Sequence, residues 1–103
     1  MQAGRPTKLS EETTKIICES IRLGMSHRLS AMSANVAADT MATWINLGKK
    51  GKEPYVAFLD EVEKADADCI KMCLSIIRKA AIDGTWTAAA WLLERRYPVE
   101  YAK

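Results

Sequence analysis

Few residues in this 103-residue chain have the types and spacing for chemistry: three cysteines, one histidine and scattered carboxylates. Cys69 and Cys73 stand at i and i+4, which on a helix puts both thiols on one face, where a soft metal could bind. A closed metal site needs further ligands. His27 lies far back in the sequence and no second cysteine pair exists, so the simpler reading makes these thiols small apolar core residues. Asp66 and Asp68 project differently on a helix and form no acid pair. There is no glycine-rich phosphate loop and no Ser-His-Asp set that spacing would support. Neither catalysis nor a cofactor is expected.

The basic residues are the better lead. Residues 1–52 hold eight basic and four acidic side chains, whereas residues 53–103 hold seven basic and nine acidic. A polyanion would prefer the first half. Candidates for contact with its phosphates are Arg5, Lys8, Arg28, Lys49, Lys50 and Lys52. Gly4-Arg5-Pro6 also has the form of a minor-groove hook, although a flexible leader is the simpler role for so short a motif.

Such groups need elements to position them, and the punctuation of the chain predicts helices throughout. Residues 1–9 read as a polar arm. Ser10 is an N-cap for a helix that places Ile16, Ile17, Ser20, Ile21 and Leu23 on a partial apolar face and ends at Gly24. Ser26 starts a short helix whose Leu29, Ala31, Met32 and Ala34 are expected to pack inward. Asn35 suits a left-handed turn residue. A further helix follows from Val36 with Met41, Trp44 and Ile45 inward, and Gly48 is expected to stop it. Residues 49–54, glycine-flanked and closed by Pro54, read as a linker between halves.

From Tyr55 to Asp83 there is neither Pro nor Gly, so one helix of 29 residues is expected, about 43 Å long. Tyr55, Phe58, Leu59 and Val62 form its early stripe. Later Ile70, Met72, Cys73, Leu74, Ile76 and Ile77 surround most of it, more surface than one partner helix can cover. After Gly84 and a candidate N-cap at Thr85, a last helix from Trp86 to Arg96, ended by Pro98, is expected to fold back with Trp91 among its apolar residues. The predicted fold is all-α: a helix-turn-helix of three short helices over residues 10–48, then a helical hairpin over 55–97 that drives self-association, and a tail over 98–103.

If the helix after Asn35 enters a major groove, the residues facing away from its core include Thr40, Thr43 and Asn46. Asn46 could read adenine, and Thr43 could meet a phosphate or a thymine methyl. This face carries no Arg or Lys for the common guanine contact, so weak sequence reading is expected, with affinity multiplied by oligomerisation.

Over nearly its whole length the chain resembles the small terminase subunits of tailed bacteriophages. The similarity is carried by Gly4-Arg5-Pro6-Thr7-Lys8-Leu9-Ser10, by Ile21-Arg22-Leu23-Gly24, by Thr43-Trp44-Ile45 to Gly48, and most specifically by Trp86-Thr87-Ala88-Ala89-Ala90-Trp91-Leu92-Leu93-Glu94-Arg95-Arg96-Tyr97-Pro98. The resemblance implies a non-enzymatic factor that binds double-stranded viral DNA, assembles into a homo-oligomeric ring through its hairpins, and presents DNA to a large ATPase-nuclease subunit. Asn35 and Ala37 stand where relatives often carry Gly and a capping Ser or Thr. The sequence also stops soon after Pro98, which leaves little of the tail that commonly contacts the large subunit. No apolar run approaches the roughly 20 residues of a membrane span, the first residues lack a signal peptide's apolar stretch, and the cysteines form no secreted disulfide framework. The host cytoplasm is the expected location, with no membrane or small-molecule partner. The alternatives are a dimeric helix-turn-helix transcriptional regulator and an adaptor whose helical corner binds protein.

Overall fold

The computed structural model describes residues 9–84 and 86–101, and every element in them is a helix: α1 (Glu11–Arg22), α2 (His27–Ser33), α3 (Ala38–Lys49), α4 (Tyr55–Asp83), α5 (Thr87–Arg96) and α6 (Pro98–Tyr101). The hydroxyl caps expected at Ser10 and Ser26 form. Ser10 Oγ accepts from the Thr13 amide at 3.1 Å and Ser26 Oγ from the Leu29 amide at 3.0 Å, each satisfying a helix-start donor that has no partner within the helix.

The first three helices end in the same way. A left-handed residue follows the last turn, and its own amide and the next one reach back: Gly24 and Met25 to Ile21 and Ser20, Asn35 and Val36 to Met32 and Ala31, Gly51 and Lys52 to Gly48 and Leu47. This double closure is the Schellman arrangement, which turns the chain sharply while pairing the last carbonyls. Asn35, with φ of 60°, takes the expected left-handed conformation.

Gly48 does not stop α3. The helix runs on to Lys49, and Gly51, with φ of 80°, is the residue that ends it. Gly48 is buried instead where α3 crosses the start of α4; an added Cβ would lie 2.9 Å from Leu59 Cβ and also against the Tyr55 carbonyl. The 49–54 segment therefore joins two helices in close contact. Trp44 meets Phe58 edge-on across that contact, with ring centroids 5.4 Å apart.

One core gathers Ile17, Cys18 and Ile21 of α1, Ala31 of α2, Met41 and Trp44 of α3, and Phe58, Val62 and Ala65 of α4. The early stripe of α4 thus completes the core that sequence alone assigned to the first half. Leu23, Leu29 and Met32, expected inside, are exposed. On α2 the inward positions are Ser30, Ala31 and Ala34, because the turn at Asn35 fixes which face meets α1 and α3.

A smaller core joins the second half of α4 to α5 through Cys69, Cys73, Ala89 and Leu93. Trp86 precedes α5, which begins at Thr87, while Thr85 lies outside the described residues. Pro98 opens α6; α5 has already ended at Arg96, with Tyr97 between them. A proline fits a first helical turn, where no amide is required. Among the described residues no helix is long and apolar enough to cross a membrane.

Candidate nucleic-acid interface

The burial of Met41, Trp44 and Gly48 fixes the rotation of α3 and leaves Asp39, Ala42, Thr43, Asn46, Lys49 and Lys50 exposed. Asp39, Thr43, Asn46 and Lys50 follow one another at intervals of four, three and four, so they form one stripe along the helix. Thr40 lies beside it and is half-buried. The Thr43 hydroxyl donates to the Asp39 carbonyl at 3.0 Å, which leaves both of its lone pairs to accept.

Lys49, Lys50 and Lys52 are exposed around the C-terminal cap of α3, where the helix dipole favours positive charge. Arg28 is exposed on α2. The structure therefore brings Thr43, Asn46 and Lys50 into line, sets Lys49 and Lys52 at one end of that line, and puts Thr40 at its edge. Arg5 and Lys8 lie outside the described residues. Asp39 favours the start of α3 through the dipole and repels a phosphate on the same stripe. Ala37 occupies the N-cap position with no side-chain hydrogen bond.

The residues expected to drive assembly divide into two groups. Met72, Leu74, Ile76, Trp86 and Trp91 are exposed, Trp91 by 57%. Cys73 is buried with Cys69 beneath α5, and Ile70 and Ile77 pack partly against the same cluster. Burial pushes the Cys73 thiol above its ordinary value, as it does Cys18 in the first core, where the Arg22 charge partly offsets the effect. These thiols behave as apolar core groups.

A polar junction ties α5 to the first helices, and sequence reasoning missed it. Arg96 donates from Nε to the Gly24 carbonyl and from Nη2 to the Met25 carbonyl, both at 2.8 Å. Tyr97 donates to the Asp66 backbone and carboxylate, at 3.3 and 3.2 Å. The same carboxylate lies 2.8 Å from His27 Nε2; an ionised carboxylate only accepts, so Nε2 carries the proton in this contact. Arg22 pairs with Asp68 at 3.1 Å. Asp66 and Asp68, which form no acid pair, thus hold α4 against α2 and α1. The available signal was the Arg96-Tyr97 pair within the distinctive C-terminal block.

A cleft of about 610 Å³ between α1 and the start of α4 is lined by Lys15, Cys18, Arg22, Phe58 and Glu61 among others. Burial holds the Cys18 thiol above its ordinary value, with Arg22 lowering it and Glu61 adding to the rise. Among the described residues no three His, Cys, Asp or Glu side chains are placed to hold a metal ion. No family model, curated protein or solved structure matches the chain.

Proposed function

We propose that this chain binds double-stranded DNA as a multi-copy assembly and serves, as the small terminase subunits it resembles do, to recognise viral DNA and present it to a large ATPase-nuclease subunit. The observation that carries the DNA reading is the open stripe of α3: Thr43, Asn46 and Lys50 in line, with Lys49 and Lys52 at its end. In this reading α2 and α3 form the helix-turn-helix, α3 lies in the major groove, and the lysines hold phosphates. With no arginine on the stripe, one copy discriminates bases weakly, and repeated copies supply the affinity.

Assembly is supported by the exposed apolar side chains of α4 and α5. Met72 and Ile76, four apart, share one flank of α4, while Trp86 and Trp91 are exposed on the α5 side of the hairpin. A single partner covers one flank only, which favours a ring over a closed dimer. The hairpin of α4 and α5 is the assembly unit in this reading.

The test joins stoichiometry to salt dependence. Native mass spectrometry at micromolar concentration should find a large oligomer, and a strict monomer would refute the ring. A Lys49→Ala/Lys50→Ala/Lys52→Ala variant should lower the slope of log affinity against log salt by about 0.9 for each lost phosphate contact. An unchanged slope removes these lysines from the interface.

One observation favours the adaptor reading. Leu29 and Met32 lie together beside Arg28 on the outer face of α2 and are 44% and 51% exposed, an apolar pair of the sort that protein surfaces cover. Absence of any salt-dependent DNA retention would select that reading.

A further inference from the structure

The helices α1–α3 and α5 all pack on one side of α4, burying Phe58, Val62, Ala65, Cys69 and Cys73. The opposite side stays open for most of the helix. It carries Asp60, Glu63, Ala67, Lys71, Leu74 and Arg78 at intervals of three or four, every one exposed. That spacing keeps them on one stripe, and the stripe extends about 27 Å from Asp60 to Arg78.

Its charges are sorted by sign. Over residues 55–68 there are five acidic side chains and one basic, Lys64, while residues 69–82 contain Lys71, Arg78 and Lys79 and no acid. Of the five acids, Asp66 and Asp68 are engaged by His27 and Arg22. Asp60 and Glu63 therefore give the open stripe a negative first half, and Lys71 and Arg78 give it a positive second half.

We propose that this open face pairs with the same face of a second copy, the two α4 helices running antiparallel with Asp60 of each beside Arg78 of the other. A stripe sorted in this way is complementary to itself only when reversed, because a parallel copy in register sets like charge on like. The pairing is centred near residue 69. There the small Ala67 lets the helices approach, and Leu74, 44% exposed, lies against the methylenes of the partner's Lys64. Such a contact is isologous, the same patch serving both copies. A nucleic acid suits the face less well, since the acidic half would repel phosphates along the same line. The contact rests on the reading that the chain self-associates but uses a different face from Met72, Ile76 and the tryptophans. If both contacts form, the twofold joins two rings; if only this one forms, it makes a dimer.

Charge reversal tests it. Asp60→Lys/Glu63→Lys and Lys71→Glu/Arg78→Glu should each halve the native mass, whether the parent is a dimer or a paired ring. A one-to-one mixture of the two variants should restore it. Ala67→Cys should be joined to its own copy by a short bismaleimide, the native cysteines being buried. A head-to-tail contact setting Asp60 beside Arg78 would instead hold the two copies of residue 67 about 27 Å apart. A monomeric parent overturns both this contact and the assembly reading. A mass that withstands charge reversal, or an oligomer that does not cross-link at position 67, overturns this contact alone. Reversal at Lys71 and Arg78 that weakens DNA retention without changing mass overturns it in favour of a nucleic-acid surface.

Discussion

Two residues at opposite ends of α3 oppose the usual expectations for a helix. Gly48 lies within the last turn, where helix propensity alone favours alanine by about 1 kcal/mol. An alanine Cβ would press on the Tyr55 carbonyl and lie 2.9 Å from Leu59 Cβ, and backbone cannot yield as a flexible side chain can. Gly48→Ala should therefore destabilise the fold by about 1–3 kcal/mol, the usual range for overpacking, and a raised urea midpoint would show that α3 and α4 have room to separate. Ala37 is the reverse case. It has extended backbone geometry suited to an N-cap but no oxygen to offer, so Ala37→Ser should add about 0.5–1 kcal/mol, read as a higher midpoint. Since position 37 is exposed and outside the open stripe, DNA affinity per folded molecule should not change.

The caps show what was legible among the elements. Gly24, Asn35 and Gly84 all take the left-handed conformation that their place in the sequence suggested, because capping depends on residues only a few positions apart. Gly48 looked identical to those caps, since spacing does not distinguish a glycine that ends a helix from one that admits a neighbouring helix. The inward face of α2 was misread for a related reason: Leu29 and Met32 are apolar, but rotation of this two-turn helix is fixed by the turn and by what α1 and α3 present. Least legible was the junction of Arg96 and Tyr97 with the first helices, whose partners are more than thirty positions away or, for Gly24, seventy-two. Arg96 ties down the turn that follows α1 from a different helix, and hydrogen bonds to a charged donor are typically worth about 1.5–3 kcal/mol. Arg96→Ala should raise hydrogen exchange at Gly24, Met25 and along α5 while leaving the α3–α4 contact protected. Uniformly unchanged exchange would show that Leu93 and Ala89 hold α5 without this junction.

Across the whole molecule, α4 is the member shared by both cores, and each core has a buried thiol with a raised pKa: Cys18 in the first and Cys73 in the second, with burial as the leading cause in both. Tyr97, at the junction between them, is also raised, first by burial and then by its neighbours Cys69 and Asp66. All three are neutral when protonated, so the fold favours the protonated form more strongly than the unfolded chain does. Below the thiols' ordinary value of 9.0 both states keep their protons and this stability is fully present. As pH rises through 9.0 the unfolded chain releases thiol protons that the folded chain retains, so stability is lost until the folded thiols also ionise. Tyrosine adds to the loss once pH passes its ordinary 10.0. The urea midpoint should therefore be nearly level from pH 7 to 8.5 with respect to these groups and fall toward pH 10.5. A Cys18→Ala/Cys73→Ala variant, starting from a lower midpoint because two packed side chains are shortened, should lose less over the same interval. An equal alkaline loss in parent and variant would assign it to groups other than these two thiols.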